Sequence, residues 1–243
     1  MRSRLSAALL VAICSAGWAA ACGNGEDAPV APTPTVPATP VEPGQCPTSA
    51  TYGVTFRATW NARSHGESPP FPSGAHFSRV VGTAHVEETS FWTSGGIATD
   101  GIEIMAETGA VDALCDEVQA QVGSGRAGGC NRGQQASFRS PGTVTLSFDV
   151  DEEFPFLTLV SMIAPSPDWF VGVDGISLRE GECWAPRIEM DLVGYDAGTD
   201  SGATFTAPNA DVTPHQPIGP IEALPPDVRD VPFASLVVER EDG

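Results

Sequence analysis

The sequence predicts an all-β fold: an antiparallel β-sandwich of about eight strands with one helical insertion. Three observations predict it. Residues 52–60 and 143–150 alternate strictly between apolar and polar side chains, which is the period of a half-buried strand. Short apolar runs bounded by Pro and Gly recur through the second half of the chain. A single stretch, about 101–122, carries apolar residues at helical spacing instead. The 243-residue chain needs no second core once its first segments are set aside.

Residues 1–21 read as an export signal, with Arg2 and Arg4 ahead of an apolar run and small residues before Cys22. The sequence AAAC resembles a bacterial lipobox, which makes Cys22 the expected lipidated residue and anchors the protein without a membrane span. Ordinary cleavage near Ala21 is the competing outcome. Residues 22–45 hold the anchor and a spacer with Pro29, Pro32, Pro34, Pro37, Pro40 and Pro43. Such a segment favours polyproline II, and its 18 residues from Ala28 to Gln45 could reach about 55 Å at ~3.1 Å per residue. The folded domain is expected over 46–243.

The formal net charge is −19 and there is no Lys, so nucleic acid and a polybasic membrane contact are both excluded as partners. Acidity suits solubility and cation binding.

Tyr52, Val54, Phe56, Ala58 and Trp60 form one face of the first strand. The next forty residues are dense in Pro and Gly and read as long loops. His65, His76 and His85 fall there with no metal-ligand spacing, and no chemistry is assigned to them. Asp100 followed by Glu103 has the form of a capping box, opening a helical region that breaks near Gly109. GSGRAGG at 123–129 lacks the GK[ST] ending of a phosphate cradle and reads as a flexible loop. Val144, Leu146, Phe148 and Val150 face inward on the next strand, and the continuously apolar 156–164 is the central one. Further strands are expected at about 170–178, 187–193, 203–206 and 234–240.

The chemistry concentrates in PSPDWFVGV and YDAGTDSG, which put Asp168, Asp196 and Asp200 in turns next to short strands. Asp and Gly are the commonest turn formers, so these residues also suit Asx turns with no ion. Carboxylates plus carbonyls of a Gly-rich turn could equally supply the six to eight oxygens that calcium takes. Three such carboxylates without an ion would repel one another.

PSPDWFVGV, YDAGTDSGATFTAPN, YGVTFRATW and ATDGIEIMAETG, in that combination, resemble the spondin N-terminal domain family of F-spondin/mindin-like animal matrix proteins. The AHF segment and 78–85 resemble the family's loop before the helix. The resemblance implies a C2-like antiparallel sandwich. It implies calcium at Asp168, Asp196 and Asp200, with Asp149 or its neighbour Asp151 as an added acidic ligand from the preceding strand. It also implies a disulfide from a Cys before the first strand to one after PSPDW, here Cys46 to Cys183, the pair left if Cys14 is removed and Cys22 is acylated. Cys115 and Cys130 bracket the Gly-rich loop and would form the second bridge in an oxidising compartment.

The function implied is a surface-anchored, calcium-binding adhesion or recognition module of the bacterial envelope. Its expected partner is an extracellular or cell-surface ligand, protein or glycan, and it is not an enzyme. A secreted metal-dependent hydrolase and an envelope protein with purely structural calcium are the alternatives. No GxSxG elbow is present for a serine hydrolase. Trp169 and Phe170 decide between them only weakly, core positions being expected for both.

Overall fold

A computed structural model describes residues 46–66 and 70–241. The export signal, the anchor at Cys22 and the Pro-rich spacer lie outside the described residues.

In chain order the elements are β1 (Ser49–Ala58), β2 (His76–Ser78), β3 (Val81–His85), α1 (Asp100–Thr108), α2 (Asp112–Gly123), β4 (Asn131–Arg132) and β5 (Ser137–Arg139). There follow β6 (Gly142–Asp151), β7 (Phe156–Ala164), β8 (Trp169–Ser177), β9 (Arg179–Glu180), β10 (Cys183–Trp184), β11 (Arg187–Leu192), β12 (Gly194–Asp196), β13 (Gly219–Pro220), α3 (Pro226–Arg229) and β14 (Ala234–Glu241). The order in the first sheet is β11-β14-β1-β6. The second runs β13-β12-β8-β7-β2-β5, with β3 beside β2 on the same edge of β7 and β4 beyond β3. All the pairings are antiparallel.

Alternation decides the sandwich. Tyr52, Val54 and Phe56 of β1 and Phe148 and Val150 of β6 point inward, against Leu157, Leu159 and Ile163 of β7. The register sets Val54 between Val238 and Leu146, one apolar stripe across three strands. The second sheet is covered on its other face by α1 and α2, which bury Ile102, Met105, Leu114 and Val118 against Val160, Met162 and Phe170. With cover on both faces, β7 has no residue to give to solvent, which explains its unbroken apolar run.

Four expectations are corrected. Residues 76–85, expected as loop, form the two pieces of a broken strand along the central β7. Residues 203–206 make a turn, not a strand, and Phe205 drops from it into an aromatic cluster with Trp60 and Trp169. The cap of α1 is Thr99 rather than Asp100: its hydroxyl accepts from the Ile102 amide at 3.3 Å, and Glu117 of α2 accepts from the Gly101 amide at 2.7 Å. The 123–129 loop is stitched to β3, with the Gly128 amide donating to Ala84 and the Val86 amide to Arg126. The helical break falls at Gly109, whose left-handed φ of +73° ends α1, and a Cβ there would meet the Ser78 Cβ at 2.8 Å.

Both disulfides form as expected. Cys46–Cys183 ties the start of the domain to the β9–β10 hairpin, and Cys115–Cys130 ties α2 to the segment entering β4. His65 and His85 are buried rather than loop surface. His85 sits between the Val86 carbonyl and the Thr158 hydroxyl, each at 2.8 Å.

Candidate metal centre

Pairing of β12 with β8 sets Asp196 opposite Trp169, so Asp168, one residue before β8, and Asp196, the last of β12, share one end of the sheet. The chain then curls back over Asp168. The Ala197 amide donates to the Asp168 carbonyl at 3.1 Å. Asp168 Oδ2 accepts from the amides of Thr199 (2.8 Å) and Asp200 (3.1 Å) and from the Thr199 hydroxyl (3.2 Å). Gly198 makes the curl with φ +75°, and a Cβ there would collide with the Gln216 carbonyl oxygen. Asp196 Oδ1 accepts the Gly198 amide at 2.9 Å, an Asx turn. Each oxygen of Asp200 accepts one amide, Oδ1 from Gly202 and Oδ2 from Ala210, both at 2.6 Å.

One oxygen of the cluster stands apart. Asp168 is 0% exposed, yet its Oδ1 has no hydrogen-bond partner. Glu107, in the last turn of α1, adds a second orphan in Oε1. A carboxylate at a helix C-terminus faces the negative end of the dipole, so its position does not serve the helix. Burial raises the Glu107 carboxyl above its usual range, and the charges of Glu103, Asp211 and Asp168 raise it further. Burial likewise lifts Asp168, against the pull of the Asp200 and Thr199 amides. Asp196 is pushed up to about 6, first by burial and then by Asp168, with the Gly198 amide opposing. The Trp169 indole faces Asp196 but falls short of a hydrogen bond. Trp169 and Phe170 are both core residues.

The donor set is all oxygen, buried and crowded with like charge, which suits a hard dication. Among the described residues no three His, Cys, Asp or Glu side chains come together as a group that could hold a metal ion. Asp168 Oδ1 and Glu107 Oε1 are the buried carboxylate oxygens without a hydrogen-bond partner, and the charge of Asp168 is felt at Asp196. Asp149 is not brought here. It lies on the exposed face of β6, in the other sheet, where its carboxylate accepts from the Thr51 hydroxyl at 2.8 Å. Asp151 caps the turn after β6 through the amides of Glu153 and Phe154. Glu107 was missed because it looks like one more solvent-facing helical acid. Its only local signal was its place in the last turn of α1, where an acid is disfavoured.

An antiparallel sandwich with an acidic, partly unsatisfied cluster at its loop end defines the class. The Spondin_N family profile matches residues 50–238, and the chain belongs to that family. It is 33% identical to human Spondin-2 over 184 residues, covering 73% of this chain and 54% of the relative. It is 31% identical to rat Spondin-1 over 181 residues, 72% of this chain and 22% of the relative. Xenopus laevis Spondin-1 is 31% identical over 205 residues, 79% of this chain and 25% of the relative. The chain thus spans about half of Spondin-2 and about a quarter or less of these Spondin-1 proteins. Among the described residues no helix is long and apolar enough to cross a membrane.

Proposed function

We propose that this chain is a calcium-binding adhesion or recognition module, presented from a bacterial envelope by lipid on Cys22 and the 23–45 spacer. Its partner is an extracellular or cell-surface protein or glycan. The observation that carries the calcium reading is the unpartnered Oδ1 of the fully buried Asp168. A buried carboxylate oxygen with no donor, among carboxyls that burial and mutual charge hold above their usual range, is a site in want of positive charge. Calcium there would be held by Asp168, Glu107 and Asp196, with Asp200 fixing the loop through its two amides. The ion would supply the countercharge that the described residues do not. Membership of the Spondin_N family supports the adhesive role. The burial of Asp168 speaks against acid–base work on a substrate, which needs carboxyls open to a cleft.

Melting of the purified protein in chelator and in millimolar calcium tests this. At ten times Kd, calcium should add about 1.4 kcal/mol, a rise of roughly 3 to 6 °C. Asp168→Asn retains an oxygen for the Thr199 and Asp200 amides and places an NH2 where Oδ1 lacks a donor. It should abolish the response while the chelated protein melts at or above the parent. Superimposable curves for the parent would end the calcium reading. Membrane fractionation of Cys22→Ser tests the anchor: release of folded protein is expected, and retention in the membrane fraction refutes it.

A further inference from the structure

A separate cleft of about 330 Å³ opens where the chain crosses from the first sheet, at the end of β11, to the second, at β12. β12 covers β8 only from Trp169 to Val171. Beyond that point Gly172 and Val173 of β8 pair with β7 and, among the described residues, with no strand on their other side, before a bulge at 174–175 breaks the pairing with β7. This is an open sheet edge inside a cavity rather than on a flat rim. Trp92 lines the same cleft, packed across Gly172, where a Cβ would come within 3.3 Å of the indole Cζ2. The ring is 6% exposed, held edge-on by Phe170 at 5.0 Å and Tyr195 at 4.9 Å. Its Nε1 is buried with no acceptor. Asp174 and Asp191 are the only charged residues lining the cleft, and among the described residues neither is in an ion pair.

Each feature selects part of a ligand. The indole N–H wants an acceptor such as a carbonyl, the bare β8 edge wants backbone, and two acids without a base want a cation. A glycan fits less well, because Phe170 and Tyr195 leave no Trp92 face on which a sugar could stack. We propose that this cleft takes an extended segment of a partner protein carrying an Arg or Lys, added alongside Gly172 and Val173, with a carbonyl on the Trp92 N–H and its cation against Asp174 and Asp191. No lining residue is a proposed calcium ligand, so the inference stands independently of the ion.

The test titrates the purified full chain with N-acetyl-arginine methylamide and with its neutral isostere, the citrulline amide. The readout is the Trp92 indole ¹H–¹⁵N signal, assigned by its loss in Trp92→Phe. The arginine amide should shift that signal saturably, and the citrulline amide should bind about fivefold more weakly, as expected for a partly exposed charge pair. Asp174→Asn combined with Asp191→Asn should bring arginine down to the citrulline level. A blocked peptide alternating Thr and Val around a central Arg should bind about tenfold tighter than the amide, through added strand pairing. All of this should persist in chelator and in Asp168→Asn. Equal binding of citrulline, an unmoved Trp92 signal, or a peptide no tighter than the amide would each overturn the proposal.

Discussion

The two faces of the second sheet are built on different principles. One face packs strand on strand, and its residues read off a period of two: Tyr52, Val54 and Phe56 from β1, Phe148 and Val150 from β6. The other packs helix on strand, with Ile102, Met105 and Leu114 against Val160 and Phe170. The first is closed and apolar. The second runs out to the acidic cluster, where α1 delivers Glu107 beside Asp168. The difference teaches that one layer holds the fold while the other adds a charged side chain to the site. Damage to the first should therefore cost stability whatever the ion, and damage at the end of the second should change the response to the ion.

The largest expected effect comes from the Cys46–Cys183 bridge at the end of the strand-on-strand layer. Its ends are 137 residues apart, so its removal by paired Ala substitution should cost about 4 to 5 kcal/mol on the chain-entropy model. Cys115–Cys130 belongs to the helical layer and spans 15 residues, so its loss should cost about 3 kcal/mol. Denaturant titration of both variants checks the ranking, and the reverse order would break the comparison. Phe148→Ala, which empties a fully buried ring site between the sheets, should lose about 3 to 5 kcal/mol, equally in calcium and in chelator.

A pH effect of similar size belongs to the closed layer. His65 is buried against Phe233 with ring centroids 4.1 Å apart, and burial lowers its pKa to about 4. The folded state thus holds the ring neutral while the unfolded chain protonates it near 6.5. Its contribution is whole above pH 6.5 and is lost as pH falls toward 4, by up to about 3 kcal/mol. His65→Phe should remove that part of the acid slope, which melting at stepped pH in chelator would register. An unchanged slope would mean that the histidine is not held neutral.

The smallest effect is the most discriminating. Glu107→Gln should leave the chelated protein as stable as the parent, since it removes a carboxylate repelled by Asp168 and Asp211, yet it should shrink the calcium increment of about 1.4 kcal/mol. If the increment survives intact, the helical layer does not reach the ion.

What the sequence determined by itself was whatever short-range pattern encodes. The alternation in β1 and β6, the apolar run of β7, the helical break at Gly109 and the bend that carries Asp168 were legible in neighbouring residues. Tertiary structure decided what depends on distant partners. Residues 76–85 are strand because β7 offers them an edge, although their own Pro- and Gly-rich flanks speak for loop. Asp149 has the same residue type as Asp168 and sits at a strand position that local pattern cannot place relative to a loop in the other sheet. The β6 register turns it to solvent and to Thr51. The burial of Glu107 and His65 was hidden for the converse reason: the place of Glu107 in the last turn of α1 marks it as disfavoured there but not as buried, and nothing in a loop histidine announces burial. Periodicity fixes which way a side chain faces from its own element, whereas the company of a carboxylate is fixed by long-range pairing and by helix packing onto the sheet.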